Sequence, residues 1–180
     1  MTEAAGLHPS AVRRYFASKE ELLLELAERG WGRWRELLAI RVAGVRELPP
    51  RELAALLATT LAAQPLFCDL LTHVPLGLEG EVDLERARRY KTNSFAAYDE
   101  IVDLLVACGT LTAEQLHDLI AAALGMTANF WQLAHPTETL AELYRQEPRW
   151  AHVALDFEPR LTRLLQATAT GLTQELRQSG

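Results

Sequence analysis

The chain has 180 residues, of which 49% are hydrophobic, and a formal net charge of −6 at pH 7. This composition supports a buried core in one domain, or in one domain with a small appendage, and the acidic balance excludes a global cationic field for nucleic acid. The two isolated cysteines exclude a disulfide framework, and no stretch reaches the roughly 20 apolar residues of a membrane span, so we expect a cytoplasmic protein.

The first predicted elements lie in residues 4–23. Gly6 suits a tight turn with positive φ, and Pro9 suits the first turn of the short helix that follows it. Val12 and Phe16 are four residues apart on this short helix, so both are expected to pack inward. Ser18, with a glutamate three residues later, predicts the capped start of a long helix. This order matches the second half of a helix-turn-helix, in which the helix after the turn reads DNA.

The outward face of the short helix and the start of the next carry the predicted DNA contacts. These residues are Ser10, Arg13, Arg14, Tyr15 and Lys19. The arginines suit paired hydrogen bonds to guanine, whereas the two hydroxyl side chains suit phosphate. Lys19 opposes the helix dipole at its position, unless its amine and the free N–H groups together hold a phosphate. The alternative is that all five are ordinary surface residues.

Helical spacing of apolar residues continues to the end of the chain and predicts an all-α fold. The predicted helices are 19–43, 50–63, 66–74, 83–108, 113–134, 136–147 and 158–177, with a loop at 75–80 and an irregular stretch at 148–157. Pro50 opens the second of these helices. Gly109 ends the helix 83–108, and Thr112 caps the helix that starts at residue 113.

Two stretches allow more than one interpretation. Gly30 and Gly32 interrupt the helix 19–43, either as a tolerated weak turn or as a pliable joint beside Trp31 and Trp34. The cationic run on the helix 83–108 is either a second nucleic-acid patch or, as we favour, a solvated face or a ladder of ion pairs. The charged residues of this stretch are Glu85 and the four cations Arg86, Arg88, Arg89 and Lys91.

The helices 113–134 and 158–177 carry apolar residues on more than one face, which indicates burial on more than one side. Two such helices from each of two chains would form a four-helix seam. We therefore predict a homodimer. The predicted interface residues are Leu116, Ile120, Ala123, Thr127, Phe130, Leu161, Leu164, Leu165, Thr168 and Leu172.

The front of the chain resembles a known family. Residues 3–25 contain the pattern A-A-G-L-x-P-x-x-V-R-R-Y-F-x-S-K-E-E-L-L, which is similar to the recognition-helix region of the tetracycline-repressor family of bacterial regulators. The resemblance implies a helix-turn-helix head joined by a long helix to a helical-bundle ligand-binding and dimerisation domain, and also a double-stranded DNA operator and a small-molecule effector. In that family the linking helix swings when ligand binds and the last long helices dimerise, which agrees with the predicted seam.

Two departures from the family pattern are visible. Ala11 and Arg13 stand where members usually carry Thr and Tyr, which leaves the operator sequence undetermined. Met1 falls inside the second helix of the family's head, so we expect a chain truncated within the helix-turn-helix, with a partial DNA-binding domain at 1–29 and a ligand-binding and dimerisation domain at 30–180. Either the chain starts downstream of the real start, or it is a dimeric ligand-binding protein that has lost operator binding.

The resemblance also implies an effector enclosed between the helices of the second domain. The candidate lining residues are Trp31, Trp34, Phe67, His73, Phe95, Tyr98, Met126, Asn129 and Trp131. Asn129 and His73 are the favoured candidates, because a buried polar group needs a partner and a ligand can supply it. The sequence contains no Gly-rich phosphate loop, no G-x-S-x-G and no H-E-x-x-H. We expect neither an enzyme nor a bound cofactor or metal.

Overall fold

A computed structural model describes residues 18–153 and 156–178. The turn and short helix predicted at residues 4–17, with Ser10, Arg13, Arg14 and Tyr15, lie outside the described residues. Within the described ranges the chain forms seven α-helices and no β-strand. They are α1 (Lys19–Val42), α2 (Pro50–Ala62), α3 (Pro65–His73), α4 (Leu84–Cys108), α5 (Ala113–Ala134), α6 (Glu138–Gln146) and α7 (Phe157–Gln178). The predicted all-α fold is confirmed.

The helix starts follow from capping residues and prolines. Ser18 precedes α1, and its Oγ accepts a hydrogen bond from the Glu21 amide at 3.1 Å. Thr112 and Gln115 form a reciprocal capping box at the start of α5, with distances of 3.3 and 3.0 Å. Proline occupies the first position of α2 and of α3, where its missing N–H leaves no intrahelical bond unmade. These local signals place the observed starts within about two residues of the predicted ones.

Two layers share one continuous core. In the first layer α1 packs on α4 and on α3; in the second, α2 and α5 pack on α7, and α5 also contacts α3. The fully buried side chains include Trp34 and Leu38 of α1, Leu57 of α2, Ile101 of α4 and Leu161 of α7. Burial of about ten such side chains contributes most of the stability, at roughly 1.5–3 kcal/mol each before the entropy of folding is subtracted.

The two glycines of α1, which runs through both without a break, have different surroundings. A Cβ atom at Gly30 would lie 2.3 Å from Cδ2 and 2.7 Å from Cγ of Phe67 on α3. The glycine therefore permits a close approach of α1 to the Phe67 ring. Nothing among the described atoms lies within 4 Å of a Cβ built at Gly32. The two glycines thus differ in role, and the one at residue 30 serves packing, which neither sequence interpretation anticipated.

Two predicted irregular segments are more regular than expected. The segment 75–80, predicted as a loop, contains a π-helical turn at Val74–Leu78 that continues directly from α3. The segment 148–157, predicted as irregular, contains a 3-10 helix at Pro148–Val153. Proline in both stretches, and glycine in the first, argued against α-helix, but single tighter or wider turns tolerate these residues.

Among the described residues no single helix is long and apolar enough to cross a membrane. Only α2 and α3 taken together reach that length and apolar content, and they are bent by 91° at the break between them. Their apolar faces, including Leu53, Leu61 and Leu70, belong to the buried core.

Candidate functional site

A pocket of about 220 Å³ lies between α1, α4, the end of α3 and the π-helical turn. We call it the Trp31 pocket. Its lining residues are Trp31, Leu71, Val74, Pro75, Glu79, Tyr90, Lys91, Ser94, Phe95 and Tyr98. Most of these side chains are apolar or aromatic, and the few polar groups are concentrated on one face of α4, which is the usual design of a small-molecule site.

Trp31 forms the inner wall of this pocket. Its ring stands edge-on to Phe67, with centroids 5.5 Å apart, and to Tyr98, with centroids 6.2 Å apart. Its indole Nε1 donates a hydrogen bond to the Tyr90 hydroxyl at 3.3 Å. Edge-on aromatic pairs of this kind each add roughly 0.5–1.5 kcal/mol beyond their area burial. The side chain that α1 contributes to the pocket is therefore held firmly by α3 and α4.

Two hydroxyl groups lie on the wall formed by α4. Tyr90 and Ser94 are four residues apart, and both are buried. The Ser94 Oγ makes no hydrogen bond of normal geometry to any described residue. Burial raises the pKa of Tyr90, while the Trp31 hydrogen bond and the nearby Ser94 hydroxyl partly oppose that shift. Both phenol and alcohol are thus neutral at physiological pH, and the Ser94 hydroxyl remains open to a partner.

The rim of the pocket carries one ion pair and one exposed ring. Lys91 Nζ lies 2.9 Å from Glu79 Oε1, so the two charges at the mouth neutralise each other. The Phe95 side chain is 59% exposed, and the Lys91 ammonium lies 5.9 Å from its ring centroid. An exposed aromatic ring at the mouth of an apolar pocket favours contact with an apolar ligand.

A cluster of charged groups joins α1 to α4 one to two helical turns before the pocket. We call the residues Glu25, Glu28, Arg86, Arg89 and Asn93 the α1–α4 ion-pair cluster. Arg86 donates to Glu28 at 3.0 Å and to Glu25 at 3.4 Å, and Arg89 and Asn93 donate to the same two carboxylates at 2.8 and 2.6 Å. The Arg86 side chain is only 4% exposed. The cationic run of α4 therefore includes a buried contact between helices, in addition to the exposed i, i+3 pair of Glu85 with Arg88.

The nine residues predicted to bind a ligand separate into four groups. Trp31, Phe95 and Tyr98 line the Trp31 pocket. Trp34 and Phe67 are buried behind Trp31, where the Trp34 indole donates to Thr60 at 2.9 Å. The other four residues lie elsewhere: Met126, Asn129 and Trp131 on α5, and His73 on the other side of α3.

The two polar residues that the sequence favoured as ligand contacts do not have the burial that was expected of them. Asn129 and His73 are both exposed, so neither is a buried polar group in need of a ligand. On α5 the buried positions include Leu119, Ala123 and Thr127, and Asn129 lies outside that buried set. Trp131 packs instead against the ring of Phe157, at 5.1 Å between centroids.

His73 and Lys19 face a second, wider cleft. It measures about 460 Å³ and lies between the first turn of α1, α3 and the π-helical turn. Its other lining residues are Glu20, Leu23, Leu66, Asp69, Leu70, Gly77, Leu78 and Glu81. Acidic side chains outnumber Lys19 there, so this cleft is a poor site for an anionic ligand.

The predicted dimer residues divide into buried and half-buried positions. Six are already fully or almost fully covered within one chain, which assigns them to the core of α5 and α7 and not to an outer surface; they are Leu116, Ile120, Ala123, Thr127, Leu161 and Leu165. Four stay partly exposed: Phe130, Leu164, Thr168 and Leu172. The physical reason is that α2 and α5 cover the face of α7 that the periodicity had assigned to a partner.

Sequence reasoning missed Tyr90 and Ser94, the two hydroxyls of the pocket. The signal was present, because Tyr90, Ser94 and Tyr98 recur every four residues and so share one face of a helix. Two tyrosines flanking a serine on such a face combine apolar surface with hydroxyl groups. Within the described ranges, no group of three His, Cys, Asp or Glu side chains could hold a metal ion.

Comparison with known families matches residues 28–175 to the domain described as tetracyclin repressor-like, C-terminal. The chain belongs to the tetracycline-repressor family. The matched residues extend from the last half of α1 to the last turns of α7 and include the whole Trp31 pocket. No curated protein matches the sequence. The family resemblance predicted from residues 3–25 is thus confirmed by an independent and much longer part of the chain.

Proposed function

We propose that this member of the tetracycline-repressor family is a cytoplasmic transcriptional repressor that binds a double-stranded DNA operator and releases it when a small molecule occupies the Trp31 pocket. The observation that carries the proposal is the position of Trp31. This wall of the pocket belongs to α1, the helix that directly follows the predicted DNA-reading segment. A ligand that displaces Trp31 must therefore displace the helix on which that segment is mounted.

The contacts of α1 suit such a response. Along its first half, α1 is held to α4 by the α1–α4 ion-pair cluster, in which Arg86 is buried and Arg89 and Asn93 are exposed. The exposed pair of Arg89 with Glu25 can exchange partners with water at low cost, whereas an apolar interface cannot. Release of DNA is then a population shift, and it requires that the effector bind more tightly to the conformation that has lost the operator.

The proposed division of the chain assigns residues 1–29 to DNA binding and 30–180 to effector binding and dimerisation. Since α1 runs without a break across residue 30, the two parts are mechanically continuous. Ser10, Arg13, Arg14, Tyr15 and Lys19 are the proposed DNA contacts. In a dimer, two reading helices would enter successive major grooves about 34 Å apart.

The proposed dimer uses the outward positions of α5 and α7. Gly125 on α5 and Gly171 on α7 have no described atom within 4 Å of a built Cβ, so packing within one chain does not require glycine at either place. A glycine in a helix interior costs about 1 kcal/mol relative to alanine. Close approach of a second chain supplies a reason for that cost, and half-exposed Leu164, Thr168 and Leu172 lie on the same helix as Gly171.

DNA binding is tested by fluorescence anisotropy with the promoter region of the protein's own gene and with a random duplex, over a range of salt concentrations. We expect a preference for the promoter, and Arg13→Ala and Arg14→Ala should each weaken binding. A variant that removes a phosphate contact should lower the slope of log K against log salt by about one. Arg88→Ala is the matched control, since it removes an exposed arginine of α4 and should change nothing.

Equal affinity for promoter and random duplex, with no effect of either arginine variant, would contradict the regulator. If the protein then still dimerises and binds ligand, the alternative of a dimeric ligand-binding protein without operator binding is favoured. Dimerisation is measured by sedimentation equilibrium. We expect Gly171→Leu to produce monomers and Gly32→Leu, the same change at an open position of α1, to leave dimers. Dimers in both variants would exclude the proposed seam.

A further inference from the structure

We infer that the Trp31 pocket takes a neutral compound with a single aromatic ring that carries one carbonyl or hydroxyl oxygen. This inference rests on the assignment of the pocket as the effector site and adds the chemistry of its ligand. Three properties of the pocket lead to it: its size, its charge balance and the hydroxyl pair on α4.

The volume of the pocket fits one ring with small substituents. An engineered protein cavity of about 150 Å³ holds benzene, and the Trp31 pocket measures about 220 Å³. The difference leaves room for a substituent of two or three heavy atoms. The rings of Trp31, Phe95 and Tyr98 surround this space and suit the face or edge of an aromatic ligand.

Charge balance excludes an ionic ligand. Lys91 and Glu79 are the charged residues that line the pocket, and each neutralises the other at the rim. An anion would have to displace Glu79 from Lys91, and a cation would have to displace Lys91 from Glu79. Either ion would also lose its hydration among apolar side chains, which is costly without a full set of new partners.

The hydroxyl pair specifies an oxygen on the ligand. The Tyr90 hydroxyl accepts from Trp31 Nε1, so its own O–H can donate to a further atom. The Ser94 Oγ is buried, lines the pocket next to the Tyr90 hydroxyl and makes no hydrogen bond of normal geometry to any described residue. A ligand oxygen near both groups would give the Ser94 hydroxyl the partner that buried polar groups almost always have. A hydrocarbon would leave it unsatisfied.

The test compares three probes of similar size by isothermal titration calorimetry: acetophenone, toluene and benzoate. Trp31 lines the site, so quenching of tryptophan fluorescence provides a second readout. We expect acetophenone to bind about fivefold more tightly than toluene, the equivalent of one net hydrogen bond of about 1 kcal/mol, and benzoate to bind more weakly than either. Ser94→Ala should bring acetophenone to the affinity of toluene and leave toluene unchanged.

Thr127→Val is the matched control, because the Thr127 hydroxyl is also buried without a partner but lies on α5, outside the pocket. It should alter neither affinity, and thermal unfolding of both variants establishes that they fold. Tighter binding of benzoate than of acetophenone, an unchanged preference in Ser94→Ala, or no binding of any probe would overturn the inference. The promoter titration is independent of these results. If the protein binds its promoter but no probe, the proposed function stands and this inference fails. If it binds acetophenone through Ser94 but shows no preference for its promoter, this inference stands and the proposed function fails.

Discussion

The contacts between helices differ in kind in the two layers. Between α1 and α4, the buried Arg86 side chain and two glutamates of α1 form a charged contact beside a pocket. Between α2, α5 and α7 the contact is made by fully buried leucines such as Leu57 and Leu161. Apolar interiors are close-packed and resist rearrangement, whereas hydrogen-bonded charges have water as an alternative partner. The proposed response assigns α2, α5 and α7 as the fixed frame and α1 as the element that moves, while Trp34 and Leu38 of α1 also belong to the shared core.

The largest effect is expected from a cavity in the fixed frame. Leu161→Ala should lower the free energy of unfolding by about 2–5 kcal/mol, because the leucine is fully buried and neighbouring helices can close the cavity only in part. Urea denaturation followed by circular dichroism measures this change. Leu164→Ala, one turn later at a half-exposed position, should cost clearly less. Equal losses would mean that α7 does not have the buried face described above.

A smaller effect is expected where α1 meets α4. Arg86→Ala removes two hydrogen-bonded charge contacts and leaves two carboxylates behind. The loss should fall below the roughly 3–5 kcal/mol typical of breaking a fully buried pair, because Arg89 and Asn93 still contact both glutamates. Arg88→Ala is the control and should cost little, since its pair with Glu85 is exposed. If the two variants lost the same stability, the charged contact between α1 and α4 would contribute nothing beyond an exposed pair.

High pH probes the buried thiol of Cys68 on α3, whose Sγ donates a hydrogen bond to the Leu61 carbonyl of α2. Burial raises the pKa of Cys68 to about 12 from its ordinary value of 9.0. The unfolded chain then loses this proton from about pH 9 while the folded chain keeps it, so the residue's contribution is fully present below pH 9 and is lost at about 1.4 kcal/mol per pH unit as the pH rises towards 12.

Stability measured by urea denaturation between pH 8 and 11 should therefore decline less steeply in Cys68→Ala than in the original chain. Both proteins should show the same pH dependence between pH 6 and 8, which provides the internal control. Parallel curves up to pH 11 would contradict the raised pKa of this thiol.

The smallest effects separate the two glycines of α1. Gly30→Ala places a methyl group against the Phe67 ring, and this overpacking of about 1–3 kcal/mol should outweigh the helix-propensity gain of about 1 kcal/mol. Gly32→Ala has the same gain and no clash, so it should stabilise the protein. Opposite shifts in melting temperature are the expected result. Shifts of the same sign would show that α1 does not approach α3 as closely as described.

Helix positions could be predicted from the sequence because their signals are local. Apolar spacing, Ser18, Thr112 and the prolines fixed the ends of the helices to within about two residues. The π-helical turn at Val74–Leu78 was missed, because Pro75 and the neighbouring glycines read as loop signals. No local rule weighs such signals against the packing of the preceding helix.

The site could be predicted only in part. Aromatic residues were recognised as candidates, but which way each one faces depends on how α4 and α5 are rotated in the bundle. Because α5 is apolar on more than one face, its sequence did not reveal that Asn129 is exposed. For α4 the four-residue recurrence of Tyr90, Ser94 and Tyr98 did define a face, and only contact with Trp31 shows that this face encloses a pocket.

The Gly30–Phe67 approach has a mechanical consequence. It is a close approach of α1 to α3, and it lies one residue before the tryptophan that a ligand would push in the proposed response. A helix pinned at that point and pushed beside it tilts, with the pinned residue as its fulcrum. The arm from Gly30 to Lys19 is about 16 Å long at 1.5 Å per residue, so a tilt of about 5° would carry its far end sideways by about 1.4 Å. In a dimer the two arms would move in opposite directions, doubling the change in their separation.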